Sequence, residues 1–163
     1  MVTFSKKAWT AYAKSTMPKY YLDVQQYEDF LKIGQPPFTP CLPAMFTLKI
    51  ALESMVNEGI ENVFQRHFDI AEHTRKGAAS IGLDLLPNPK FASNTVTAIR
   101  LPDDVDGEKF LSNVNDNFNV VLGGGQKSLT GKIFRIGHMG WVETSHIDEA
   151  LNAAKKTLDR MTS

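Results

Sequence analysis

The run Phe134-Arg-Ile-Gly-His-Met-Gly-Trp141 is the most unusual in the chain. Arg135 stands among apolar neighbours, directly before a glycine-rich exit. A guanidinium in that setting needs a partner, and a carboxylate matches its forked donors best. The partner is either a structural Asp or Glu, the commoner case for a strand arginine, or the carboxylate of a ligand. Just upstream, Gly123-Gly-Gly-Gln-Lys-Ser-Leu-Thr-Gly-Lys132 invites a phosphate-loop reading. Its spacing argues against that. Five residues separate Gly125 from Gly131, one too many, and Lys132 is followed by Ile133 instead of Ser or Thr. The segment also lies between two expected strands, whereas a phosphate loop opens a helix whose N-terminus holds the anion. It reads as a flexible, hairpin-like connection.

Other reactive residue types lack company. His67 and His73 are six apart and fall on different helix faces. His138 and His146 have no acidic or cysteine companions at ligand spacing. No metal site is expected, and His67 reads as a hydrogen-bonded core residue. Cys41, the single cysteine, has no nucleophile signature and cannot form an intrachain disulfide. No serine elbow and no paired loop carboxylates suggest hydrolysis.

The elements that must position Arg135 follow from pattern. Thr95–Leu101 is rich in β-branched residues and predicts a strand. Asp106 caps a helix with Phe110, Leu111 and Val114 inward. Asn119–Leu122 predicts a short strand broken by the glycines, and Lys132–Ile136 predicts another. Ser145-His-Ile-Asp148 reads as a capping box before Ile147, Ala150, Leu151, Ala154, Leu158 and Met161 at helical spacing. Upstream, Val2 and Phe4 suggest a strand end. Ser5 caps a short helix carrying Trp9, Tyr12 and Ala13, stopped by Pro18. Tyr20–Asp23 is extended or turn-like. Gly34–Pro43 holds four of the eight prolines and must be a loop. Met45, Leu48, Leu52, Met55 and Val56 then keep a helical period. A second run follows from Ile60 to Ile81. The two form one long helix bent at Gly59, the favoured form, or two helices broken there. The order suggests a small α/β sandwich from about residue 60 onward.

Composition sets the outer bounds. The chain has 163 residues, 42% of them apolar, enough for a packed core. Lys and Arg total 18, as do Asp and Glu, which argues against a nucleic-acid binder. No apolar run approaches the ~20 residues of a membrane span. Met1 to Thr10 shows no signal-peptide pattern, so a soluble, cytoplasmic protein is expected.

The segment from Gly123-Gly-Gly through Leu129-Thr-Gly-Lys-Ile-Phe-Arg-Ile-Gly-His-Met-Gly140 resembles the C-terminal signature of class V pyridoxal-phosphate-dependent aminotransferases, in the alanine–glyoxylate and serine–pyruvate branch. Tyr20-Tyr-Leu-Asp23 is similar to the family's Tyr-x-Leu-Asp turn. Phe38-Thr-Pro with Leu48–Leu52 resembles its Thr-Pro loop and following helix. Gly59 to Arg66-His67 resembles its Glu-Gly … Arg-His helix, and Thr95–Ala98 its first small-domain strand. A related group named as a small subunit of a soluble hydrogenase shares these segments.

The resemblance implies an α/β fold, the C-terminal small domain of a fold-type-I enzyme preceded by a long interdomain helix. Residues 1–58 would end the large domain and start that helix, and 59–163 would form the small domain. It implies that Arg135 binds the substrate carboxylate, and that Thr39 reaches the phosphate of pyridoxal phosphate in the neighbouring subunit of a homodimer. Substrates would be a small amino acid and a 2-oxo acid such as glyoxylate or pyruvate. Partners would be the missing large domain and a second copy, with no nucleic acid and no membrane. Two departures stand out. Pro36 replaces the tyrosine that many members carry three residues before Thr39. The cofactor-anchoring lysine of the family's Ser-Gly-x-Gln-Lys motif has no counterpart here, because Gln126-Lys127 stands in the glycine loop. No catalytic residue is therefore assigned, and the isolated chain is expected to be inactive. The alternatives are a non-catalytic subunit or interaction protein, and a regulatory domain binding a small molecule through the same arginine.

Overall fold

The β-branched and apolar runs around residues 96 and 133 produce a small antiparallel sheet in this computed structural model, which describes residues 2–162. Its strands are β1 (Val96–Arg100), β2 (Gly123–Gly124) and β3 (Ile133–Gly137), in the order β1-β3-β2. Ile99 pairs with Phe134 and Thr97 with Ile136. Side chains alternate across a strand, so these share one face. That face packs on the helices α4 (Ile60–Ser80) and α5 (Gly107–Phe118), and α6 (Thr144–Met161) packs against both helices. The core joins Ile99, Phe134 and Ile136 to Ile70, Phe110, Val114, Ile147, Leu151 and Leu158. The rings of Phe110 and Phe134 meet at 5.1 Å. The opposite alternation places Ala98, Arg135 and Gly123 together on the other face.

This sheet and core belong to a compact unit spanning Ser54–Ser163; a second compact unit spans Met1–Glu53. The second holds α1 (Lys6–Lys14), α2 (Val24–Leu31) and the start of α3 (Leu42–Glu58). Ser5 caps α1 by accepting from the Ala8 amide. Asp23 caps α2 by accepting from the Gln25 amide, and it also accepts from the Tyr12 hydroxyl. No side chain before Val63 is buried among the described residues. The apolar stripe Met45, Leu48, Leu52, Met55, Val56 forms on α3 as its period predicts, yet it is exposed.

Five local expectations need correction. Val2 and Phe4 lie outside any strand. α2 was not foreseen; its residues, Val-Gln-Gln-Tyr-Glu-Asp-Phe-Leu, give too short a run to show a period. Residues 119–122 are not a strand. Asn119 is left-handed (φ 54°) and closes α5 by donating its amide to Asn115, while Val121 stays 84% exposed. The glycines, read as the break, make the ladder instead. The capping box uses Glu143 and His146, not Ser145 and Asp148. Finally, the single bent helix favoured from the sequence is not formed: the run is two helices meeting at Gly59, whose φ of 87° suits glycine and stops the α3 ladder.

Candidate functional site

Arg135 lies mid-β3, opposite Ala98 of β1 and Gly123 of β2. It is half-buried. Its Nε–H donates to the Gly124 carbonyl at 3.0 Å. Three arginines are half-buried among the described residues, and their partners differ. Arg66 holds Glu58 at 2.6 Å, and Arg75 holds Glu72 at 2.7 Å. Arg135 pairs with no carboxylate among the described residues. The structural Asp or Glu left open by the sequence is therefore not found among the described residues. A forked guanidinium on a sheet face is suited to a planar carboxylate.

The glycine segment shapes this place by close approach. A Cβ on Gly124 would stand 2.9 Å from the Leu111 side chain, and one on Gly125 would stand 1.9 Å from the Leu129 carbonyl. The connection is thus a tight hairpin between β2 and β3, with a short 3-10 turn at Lys127–Leu129.

The exit of β3 is held by a second group that the sequence showed only as separate motifs. Arg66 donates Nε and Nη2 to the two oxygens of Glu58, at 2.6 and 2.8 Å, and Nη1 to the Gly140 carbonyl at 2.7 Å. The guanidinium also stands 5.3 Å from the Trp141 ring centroid. His67 takes the other polar atom of Gly140: its Nε2 accepts the Gly140 amide at 3.2 Å, and its Nδ1 donates to the Val63 carbonyl at 2.7 Å. Arg66 holds the Glu58 carboxyl below the usual carboxylate range, chiefly by hydrogen bonding. His67 is hydrogen-bonded as expected, but it is half-buried beside the exit of β3 and is not a core residue. His138 is fully buried, with Nε2 against the Thr97 hydroxyl at 2.8 Å and Nδ1 against the Asn94 carbonyl at 3.1 Å. A signal for the first pairing did exist. Glu58 and Arg66 are eight apart across a glycine, close enough for a long guanidinium to reach back.

Thr39 lies in the other unit. The preceding Phe38 is surrounded by Tyr20, Tyr21 and Tyr27, with ring centroids 5.5, 4.9 and 6.1 Å away. Thr39 itself is exposed. Pyridoxal phosphate needs phosphate donors, a carboxylate for its ring nitrogen and a lysine anchor. An open threonine hydroxyl fits one phosphate contact and no more. Lys127 is an exposed loop residue with a left-handed backbone (φ 52°). Among the described residues no group of three or more His, Cys, Asp or Glu is placed to hold a metal. No helix among them is long and apolar enough to cross a membrane.

A small antiparallel sheet packed on helices fits the C-terminal part of the class V, pyridoxal-phosphate-dependent aminotransferases, and the chain is related to them. The soluble hydrogenase small subunit of Synechococcus sp. is 40% identical over 96% of this chain and 41% of its own length. The serine–glyoxylate aminotransferase of Methylorubrum extorquens is 35% identical over 87% of this chain and 36% of its own. The crystal structure of the alanine–glyoxylate aminotransferase of Nostoc sp. superposes with a TM-score of 0.89, at 26% identity, over 96% of this chain and 42% of that one. No family model matches the chain. The chain spans about two fifths of the length of the curated relatives it matches.

Proposed function

We propose that this chain supplies the carboxylate-binding, C-terminal part of an aminotransferase that moves an amino group from a small amino acid to a 2-oxo acid such as glyoxylate or pyruvate. The observation that carries this reading is Arg135: half-buried, oriented by the Gly124 carbonyl, and without a carboxylate of its own. Both substrates present an α-carboxylate, so one guanidinium serves both half-reactions. Pyridoxal phosphate, when bound, supplies the electron sink for the exchange. Thr39 donates its hydroxyl to the phosphate across a homodimer boundary. Residues 59–163 act as the small domain and 1–58 as the end of the large one. The anchoring lysine comes from outside these residues, so the chain by itself is inactive, and the working protein is cytoplasmic.

In an enzyme containing this chain, Arg135→Ala raises KM for both substrates. Losing a charge-assisted hydrogen bond of about 1.5–3 kcal/mol predicts a change of about 10–150-fold. Arg135→Lys recovers only part, since an ammonium cannot make the fork. Wild-type KM values in both variants would make Arg135 structural.

A second reading, a non-catalytic subunit, is favoured by the name of the Synechococcus relative. Under it, no amino transfer accompanies any assembly that contains the chain, while Arg135→Ala leaves that assembly intact.

A further inference from the structure

Gly123 faces Arg135 across the β2–β3 ladder. A Cβ built on Gly123 stands 3.5 Å from both Nε and Nη2 of Arg135, and 3.6 Å from its Cβ. The arginine side chain therefore lies against bare β2 backbone, in the volume that a larger side chain at 123 would enter. Lying there, its Nε–H reaches the Gly124 carbonyl at 3.0 Å. A guanidinium can grip a carboxylate side-on, through Nε and one Nη, or end-on, through both Nη groups. The bond to Gly124 uses the Nε–H, which leaves the end-on fork.

We propose that Gly123 is a positioning residue for Arg135. By carrying no side chain it seats the guanidinium on β2, commits Nε to the Gly124 carbonyl and turns both Nη groups toward a ligand carboxylate. The carboxylate part of this inference rests on the proposed function; the seating of the side chain does not. The effect of size is graded. Contacts of 3.5–3.6 Å are ordinary, so one methyl at 123 fits. Gly123 has no positive φ, so alanine meets no backbone strain there. The branched methyls of valine need the space the guanidinium holds. Gly124 is a useful contrast, because a Cβ there meets Leu111 and not Arg135.

The test is nuclear magnetic resonance of the chain labelled with 15N-arginine, the Arg135 Nε–Hε signal being assigned by its loss in Arg135→Lys. Acetate is the carboxylate probe, and a thermal melt establishes that each variant is folded. In the wild type and in Gly123→Ala, the Nε–Hε proton exchanges slowly, and acetate shifts the Nη signals more than the Nε signal. In Gly123→Val, Nε–Hε exchange quickens about tenfold, the loss expected for one hydrogen bond, and the acetate response weakens. If the valine variant does not fold, Gly123→Ser replaces it, with a smaller acceleration expected. A folded valine or serine variant with wild-type Nε–Hε exchange overturns the inference. So does an alanine variant that loses as much as valine. If acetate leaves wild-type Arg135 unmoved, the carboxylate reading fails separately, and the exchange rates still decide the role of Gly123.

Discussion

His138 is fully buried, and burial together with its two bonds governs its state. Nδ1 faces a carbonyl, that of Asn94, and so must donate. Nε2 faces the Thr97 hydroxyl, which can donate or accept; burial disfavours the charged ring, so the neutral form with Nε2 accepting is the favoured one. Burial is the main cause that pushes its pKa below the ordinary 6.5, with Arg75 and His67 adding to it and the Asn94 bond opposing. The unfolded chain takes up the proton near 6.5, while the folded chain resists it to lower pH. In that window the unfolded state binds more protons, so stability is present above it and falls as the pH drops through it. The urea midpoint should therefore decline as the pH falls through 6.5 toward the lowered folded pKa, and His138→Gln should flatten the decline. A wild-type midpoint that does not move would contradict a buried neutral ring. Thr157 gives a second residue-scale expectation. Its Oγ1 is buried without a partner, so it has lost water and gained nothing. Thr157→Val keeps the branched shape and removes the orphan. It should stabilise by about 1 kcal/mol, a rise of about 2–4 °C in Tm. A lower Tm would mean that the hydroxyl is satisfied in solution.

At the scale of elements, Arg66 links three of them. It reaches back across the Gly59 break to the last residue of α3 and forward to the turn that follows β3. With His67 it occupies both polar atoms of Gly140. Arg66→Met should therefore free the turn: Gly140 amide exchange should rise roughly tenfold, as for a lost hydrogen bond, while β1 amides stay protected. Unchanged exchange at Gly140 would show that His67 alone holds it. This network also marks the limit of what the sequence could show. The helices α4, α5 and α6 and the strands β1 and β3 were legible because burial on one face imposes a period. Arg135 was legible as a strand arginine. The identity of its partner was not, because partner choice depends on which side chains the topology brings near. β2 was misread for a related reason. Asn119–Leu122 has strand-like residues, but Asn119 is spent on ending α5, and only glycines come as close to Leu111 and Leu129 as pairing there requires.

At the scale of the whole chain, the two compact units differ in what holds them. Ser54–Ser163 has a continuous core in which Ile99, Phe110, Val114, Phe134 and Ala154 are fully buried. Met1–Glu53 has helix caps, the Tyr12–Asp23 bond and tyrosines around Phe38, but no buried side chain among its described residues. Half-exposed aromatic contacts remove less apolar surface from water than a closed core does, so local opening should be easier there. The loop through Pro36, Pro37 and Pro40 has no regular ladder to protect its backbone. Limited proteolysis of the chain should therefore cut first between Met17 and Pro43. It should leave a resistant fragment from about Ile60 to Met161. Hydrogen exchange should be slowest at Val96, Phe134 and Leu151, which sit in β1, β3 and α6. In α1 and α2 it should approach the unprotected rate. A protease-resistant chain whose first 40 residues exchange as slowly as the strands would contradict this division. It would also count against placing residues 1–58 at the end of a larger domain, since such a segment has no need of a stable core of its own.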